Sequence, residues 1–294
     1  MRLTTKIITG IILSIFLLSL LHIIGYSFTD RKNYKPSFSH SRSIQIPQTD
    51  MTGIPVESYR VITIEAEQSD TDNRFWSYFA NDENGLYIHP ATTSDEENKL
   101  FIPESLHKFI TVQTSRDTLK IKINLDEVRE KYEKIDDATV KLRPSMRVGI
   151  PVSGVNLYLH TTKVNVINRL NSVQTRISNM ETDSIQIYAS GEINIDSCKA
   201  NFIEPNSNRK ITVAKSVVKA INIDLDRVSN WNVEPDCDVD VMYYTSGKSS
   251  NSILLHSDSR GKIVLQPKNK SAEFNVKIKG NAAQINFETQ AINE

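Results

Sequence analysis

Short runs in which apolar and polar residues alternate with period two cover most of the chain from Tyr59 onward. Leu119-Lys120-Ile121-Lys122-Ile123 is the strictest of them. Alternation of this kind predicts strands with one buried face and one wet face. Val61-Ile62-Thr63-Ile64, Phe75-Trp76-Ser77-Tyr78-Phe79, Leu86-Tyr87-Ile88 and Phe109-Ile110-Thr111-Val112 read the same way. The pattern resumes after Lys141 and runs to Ile285-Asn286-Phe287. One segment departs from it. Leu125, Val128, Tyr132 and Ile135 fall at helical spacing, which predicts a short helix over Asp126–Ile135 with Asp126 as its cap.

Within the strand runs, a tripeptide of large apolar, Asn, large apolar recurs, centred on Asn124, Asn156, Asn165, Asn194, Asn222, Asn232, Asn275 and Asn286. Asn is depleted from ordinary strands, so its return between two β-formers points to one structural unit used repeatedly. Val164-Asn165-Val166, Ile193-Asn194-Ile195 and Ile221-Asn222-Ile223 begin at positions 164, 193 and 221. Each is followed by a second Asn (Asn171, Asn201, Asn230) and closes on a further alternating run. This 28–29-residue frame predicts stacked three-strand units between Val164 and Val241, in an all-β, β-solenoid or β-helix-like body. The middle Asn residues then face outward and form a ladder. The alternative is a β-sandwich, which regularly spaced short strands also fit.

Ahead of this body, residues 7–28 form an apolar run broken only by Thr, Ser, Gly, Tyr and His22. Its 22 residues suffice to cross a hydrocarbon core of about 30 Å. It reads as an uncleaved signal anchor, or as a signal peptide cut near Gly25-Tyr26-Ser27. The expected organisation is a membrane segment over 1–28, a polar linker over 29–56, an N-terminal β region with one helix over 57–150, and the repeat region over 151–294. The body is then exported, in the cell envelope, on the periplasmic or extracellular side. Net charge is zero, so nothing favours nucleic acid. Cys198 and Cys237 are free to oxidise in such a compartment, and the spacing leaves open whether they pair.

The sequence offers little chemistry. His22, His40, His89, His107, His160 and His256 are scattered without metal-ligand spacing. Asp236-x-Asp238-x-Asp240 begins like a calcium loop, but the required Gly and Glu positions hold Val241 and Gly247. A weak site completed by Asp224 or Asp226 is the remaining calcium option. In the 28–29-residue frame Asp196 and Asp224 are equivalent, and carboxylates one coil apart suit a polysaccharide lyase or glycosidase. No basic residue recurs beside them. The favoured expectation is therefore a non-catalytic binding or scaffolding protein with no cofactor and no metal. Its partner is a protein or a glycan, met through outward Tyr158, Tyr188, Tyr243 and Tyr244.

An apolar N-terminal run, a strand opening at Val61-Ile62-Thr63-Ile64, the passage into Gly85-Leu86-Tyr87-Ile88 and the Asn-rich coils resemble the head GIN domain family of Bacteroidetes. The stretch that carries the likeness is Asp183 to Asn194, ending Ser190-Gly191-Glu192-Ile193-Asn194. Glu192 separates Gly191 from Ile193, so the Gly-Ile-Asn tripeptide itself is absent. The pattern covers about residues 57–288. The resemblance implies an adhesin-like role.

Overall fold

The computed structural model describes residues 14–21, 44–47, 49–67, 75–79, 84–132, 148–171, 173–256, 261–279 and 286–289. Residues 14–21 form a helix whose large side chains are exposed. The rest of the predicted membrane run lies outside the described residues. Among the described residues no helix is long and apolar enough to cross a membrane.

The described body is built from strands. In chain order they are β1 Ile44–Gln45, β2 Met51–Pro55, β3 Val61–Glu67, β4 Phe75–Phe79, β5 Gly85–His89, β6 Lys99–Pro103, β7 Ile110–Ser115 and β8 Thr118–Asn124. After a helix at Leu125–Tyr132 come β9 Val148–Ser153, β10 Asn156–His160, β11 Asn165–Asn168, β12 Gln174–Ser178, β13 Glu181–Ala189, β14 Ile193–Asp196, β15 Lys199–Ser207 and β16 Lys210–Ala214. The last are β17 Val217–Asp224, β18 Asn230–Val233, β19 Asp238–Ser246, β20 Asn251–His256, β21 Lys262–Pro267, β22 Phe274–Lys279 and β23 Asn286–Thr289.

Two large sheets hold most of them. The eight-stranded sheet runs β18-β16-β14-β12-β5-β10-β6-β2, and the ten-stranded sheet runs β23-β21-β19-β17-β15-β13-β11-β3-β8-β7. From β11 to β19 the chain crosses from one sheet to the other at every step, and each return lies parallel beside the previous strand of that sheet. Among the described residues, antiparallel pairing is confined to β2–β6, β6–β10 and β7–β8. That rules out an antiparallel sandwich for this part of the chain.

The step of the stack is shorter than the sequence spacing suggests. Thr175 pairs with Ile193 and Ile193 with Ile211, the same step of 18 that separates Cys198 from its partner Ser216. Val217 pairs with Asp238, a step of 21, as between Lys215 and Asp236. The three Asn tripeptides used as a repeat are not neighbours: Asn165 and Asn222 lie in the ten-stranded sheet, and Asn194 lies in the other. The 28–29-residue frame is therefore corrected. It spans about one and a half circuits, and a half-circuit exchanges one strand for another of the same alternation. The Asn ladder fails with it. Asn194 stands between Arg176 and Thr212, Asn222 pairs with Tyr243, and Asn156 is buried at the head of β10.

Packing follows the true register. Ile185, Ile203, Ile221, Met242 and Ile263 pair in succession across five strands, and all are buried. Facing them from the other sheet is the column Ile88, Ile177, Ile195, Val213 and Val233. Each fully buried Ile or Val removes apolar surface worth about 1.5–3 kcal/mol, and no single circuit can shield its own.

The corners repeat too. Asn179, Ser197 and Lys215, at matching corners of successive circuits, all adopt left-handed backbone with φ of 56, 54 and 50°. Each turns the next residue inward: Met180, Cys198 and Ser216, followed one circuit later by Cys237, are all buried. Cys198 N–H donates to Ser216 Oγ at 3.1 Å. The two cysteines are free. Ser216's circuit stands between them, so two strand spacings of about 4.8 Å exceed the reach of a disulfide. Burial pushes both thiols up from their ordinary pKa.

Smaller expectations also shift. The helix begins one residue early, and its cap is Asn124 rather than Asp126: Glu127 N–H donates to Asn124 Oδ1 at 3.2 Å, and Asn124 Nδ2 donates to Glu127 Oε1 at 2.8 Å. Ile135 lies outside the described residues. β1 and β2 fall inside the stretch read as linker, where Ile44 and Ile46 are buried. Both large sheets contain strands from before and after residue 150, and in the eight-stranded sheet β10 lies between β5 and β6.

Candidate functional site

Alternation turns Leu86 and Ile88 of β5 into the core and leaves Tyr87 and His89 on the opposite face. β10 does the same with Leu157 and Leu159 inside, Tyr158 and His160 outside. The two strands pair in parallel with Tyr158 beside Tyr87 and His160 beside His89. One outward row therefore crosses the whole eight-stranded sheet: Gly53, Phe101, Tyr158, Tyr87, Arg176, Asn194, Thr212 and Asn232. A second row lies beside it, with Lys99, His160, His89, Ser178, Asp196 and Ala214.

The rings of these rows stack along the sheet. Tyr87 and Tyr158 have centroids 4.6 Å apart and planes 13° from parallel. His89 lies 6.3 Å from Tyr87 at 6°, and Phe101 meets His160 edge-on at 4.9 Å. At the other end the Arg176 guanidinium covers Tyr87 at 5.0 Å and donates to its hydroxyl at 2.9 Å. Arg176 also donates to Gln174, which fixes its fork. Stacked rings present their edges outward, so the face offers hydroxyl and imidazole groups held rigid by neighbours. Side chains already ordered lose little entropy when a partner binds.

His89 is tuned toward neutrality. Burial is the main cause, and the neighbouring His160 adds to it, so its pKa lies below the ordinary histidine value. Ser178 Oγ sits 2.8 Å from His89 Nδ1, which suits a hydroxyl donating to an unprotonated ring. A group that protonates more readily unfolded than folded costs stability as pH falls. Acidification from pH 7 to about 5 should lower stability by a fraction of 1 kcal/mol through His89, and His89→Gln should flatten that part of the slope in urea titrations. Glu96 lies 3.5 Å from His160 Nδ1 and is itself held by Thr92.

A second polar cluster sits at the corners after β17 and β19. Lys268 Nζ donates to Asp224 Oδ1 at 2.6 Å and to Asp226 Oδ2 at 2.8 Å. Asp226 also accepts from Ser246 Oγ at 2.6 Å and Gly247 N–H at 3.0 Å. Burial works against the Asp226 charge, yet these partners hold its carboxyl well below the usual range. Its contribution is present above the ordinary carboxyl pKa and is lost as pH falls below it. Lys268→Met should cost about 1 kcal/mol at pH 7, a small figure because Lys268 is 42 % exposed and screened. The difference from the parent should persist at about pH 3 and be lost only as pH falls further, through the depressed pKa of folded Asp226, in acid–urea titrations.

The structure separates what the sequence grouped. Asp196 closes β14 and Asp224 closes β17, in different sheets, so they are not stacked neighbours. Asp238 and Asp240 lie at the opposite end of β19 from Thr245, the partner of Asp224, and Asp236 accepts from Lys215 N–H. Among the described residues no group of acidic, His and Cys side chains forms a metal site. Of the four tyrosines, Tyr158 is central to the stacked rows. Tyr188, exposed, carries the Arg227 guanidinium at 5.6 Å, and Tyr243 stands half-buried between Asn222 and Val264. Tyr244 is 1 % exposed and belongs to the core. Tyr87, His89, His160 and Arg176 were not singled out, although Leu-Tyr-Ile-His at 86–89 and Leu-Tyr-Leu-His at 157–160 carried the signal.

No family model matches the chain, the head GIN domain family included, and no curated protein matches it. Solved structures do resemble it. One from Bacteroides fragilis, provisionally described as an adhesin, is 14 % identical with a TM-score of 0.44, over 85 % of this chain and 97 % of that one. Another from Parabacteroides merdae, described in the same way, is 9 % identical with a TM-score of 0.34, over 85 % and 98 %. A third from Parabacteroides distasonis, provisionally described as a lipid-binding protein, is 12 % identical with a TM-score of 0.34, over 84 % and 97 %.

Proposed function

We propose that the chain is a membrane-tethered, envelope-exposed β-solenoid that binds a protein or glycan partner, adhesin-like and without catalysis. The observation that carries this reading is the continuous outward row from Phe101 to Asn232, with Tyr158, Tyr87 and Arg176 locked together at its centre. Tyr and Arg are the side chains that most often dominate binding energy, and stacked circuits offer long surfaces on which to set them. The tether is supported by the helix over 14–21, where Ile15, Phe16, Leu17, Leu18, Leu20 and Leu21 are all exposed. Apolar exposure of that kind calls for a lipid or protein cover. The binding reading is favoured over polysaccharide processing because Asp196 and Asp224 lie in different sheets.

The detergent-solubilised full chain, presented to a glycan array and used in pull-downs, should capture a specific partner. Tyr158→Ala and Arg176→Ala should each weaken that capture about 5- to 100-fold, as truncation of a central anchor does, with the melting temperature little changed. Undiminished capture by both variants would overturn the placement of the site. Polysaccharide turnover abolished by Asp196→Asn would overturn the binding reading itself.

A further inference from the structure

The eight-stranded sheet stops at β18, while the ten-stranded sheet opposite continues through β19, β21 and β23. The next strand on this side, β20, pairs with β22 in a separate two-stranded sheet. Among the described residues no backbone hydrogen bond joins β18 to β20. Glu234 N–H donates to Val213 O, so by strand alternation the N–H and C=O groups of Trp231 and Val233 face away from β16, into the break. Asn251 N–H donates to Glu273 O toward β22, so those of Ser252 face back across it.

A cavity of about 310 Å³ lies in this break. Trp231 lines it, and the indole lies 5.8 Å from the Tyr244 ring, tilted by 52°. Arg227, Lys248, Asn208 and Ser252 supply polar groups around it. Asp226 also lines the cavity, but Lys268, Ser246 and Gly247 occupy its oxygens. Lys248 Nζ reaches the carbonyls of Leu225 and Asp226, which leaves one of its three donors. Arg227 engages Asp224 through Nε at 3.5 Å and keeps its terminal N–H groups. Over the corner, Asp224 and Asp226 stand against Lys268, Arg227 and Lys248, an excess of one positive charge.

The geometry points to a second binding site in this break, for a single carboxylated sugar ring of the uronic acid kind. The indole takes the ring's apolar face, Arg227 and Lys248 take its carboxylate, and the serine, asparagine and unpaired strand groups take its hydroxyls. The volume is at the lower end of small-ligand sites, about 300–1,000 Å³, which suits one ring rather than a chain. The site lies on the edge strand β18, four strands from Tyr87 at the centre of the aromatic row, and does not depend on what those rings bind.

Ligand-detected NMR titrations of the full chain with sodium glucuronate, glucose and sodium acetate test it. Glucuronate should bind at least fivefold more tightly than glucose, and acetate should compete poorly. Trp231→Leu should weaken glucuronate about tenfold while partner capture by the aromatic row is unchanged. Arg227→Gln should bring glucuronate down to the glucose level. Because Arg227 also holds Asp224 and Tyr188, Lys248→Gln is the second charge variant and should move affinity the same way, each with its melting temperature recorded. The proposal is overturned if glucuronate and glucose bind equally, if acetate competes as well as glucuronate, or if nothing binds at about 10 mM, ten times a millimolar Kd.

Discussion

Ile195→Asp should leave the chain without a cooperative urea transition, or move its midpoint far below that of the parent. Ile195 is 1 % exposed and sits mid-column between Ile177 and Val213. A carboxylate there has no partner, and burial of an unpaired charge costs several kcal/mol. Against a total stability of about 5–15 kcal/mol, that removes much of what holds the fold. Ile223→Asp, at 0 % exposure on the facing sheet, should do the same. Thr212→Asp is the control, since Thr212 pairs with Asn194 on the outward face, and it should shift stability by no more than about 0.5 kcal/mol. Circular dichroism through a urea series reads all three. Cooperative unfolding of Ile195→Asp near the parent midpoint would refute the inward assignment.

Gly191→Ala should cost about 3 kcal/mol, at the upper end of overpacking in a filled interior. Gly191 lies at the corner between β13 and β14, where a Cβ would stand 1.9 Å from the carbonyl oxygen of Val173. Backbone cannot swing aside as a side chain does, and Ser207 Oγ also binds the Gly191 carbonyl at 2.6 Å. Gly53→Ala should cost far less, because the nearest obstacle is the Phe101 ring at 3.1 Å, which can tilt. Parallel thermal melts of the two variants check the ranking. Equal losses would show that the corner has room to open.

These effects explain which parts of the fold the sequence revealed. Inward and outward residues were legible, because period-two alternation follows from burying one face of a strand. Ile195 and Ile223 were placed inside from that pattern alone, and the structure agrees. Register was not legible. Every strand of both sheets alternates alike, so Val164-Asn165-Val166 and Ile193-Asn194-Ile195 resemble each other although they belong to opposite sheets. The marks of the true step sit at the corners, where Asn179, Ser197 and Lys215 share a left-handed backbone but no side-chain chemistry. Only the backbone repeats there, and a sequence does not display it.

The candidate site was half legible for a similar reason. Tyr158 was singled out as an outward aromatic, but its partners Tyr87 and His89 lie far earlier in the chain, with several strands in between. They become neighbours because β5 and β10 pair directly. Tyr244 was misplaced because Tyr243-Tyr244 offers two adjacent tyrosines, of which alternation exposes only one. The cavity beside Trp231 left no sequence signal, since it lies where β18 and β20 do not pair.

One distance tests the register that underlies all of this. Asn165, Gln186, Glu204, Asn222 and Tyr243 lie in one outward row of the ten-stranded sheet, each one strand on from the last. Four strand spacings of about 4.8 Å place Asn165 and Tyr243 about 19 Å apart. Spin labels at Asn165→Cys and Tyr243→Cys, with Cys198 and Cys237 replaced by Ala, report that separation by pulsed electron resonance. The stacked circuits predict a narrow distribution centred at roughly 20 Å. A broad distribution, or one centred beyond about 35 Å, would contradict it.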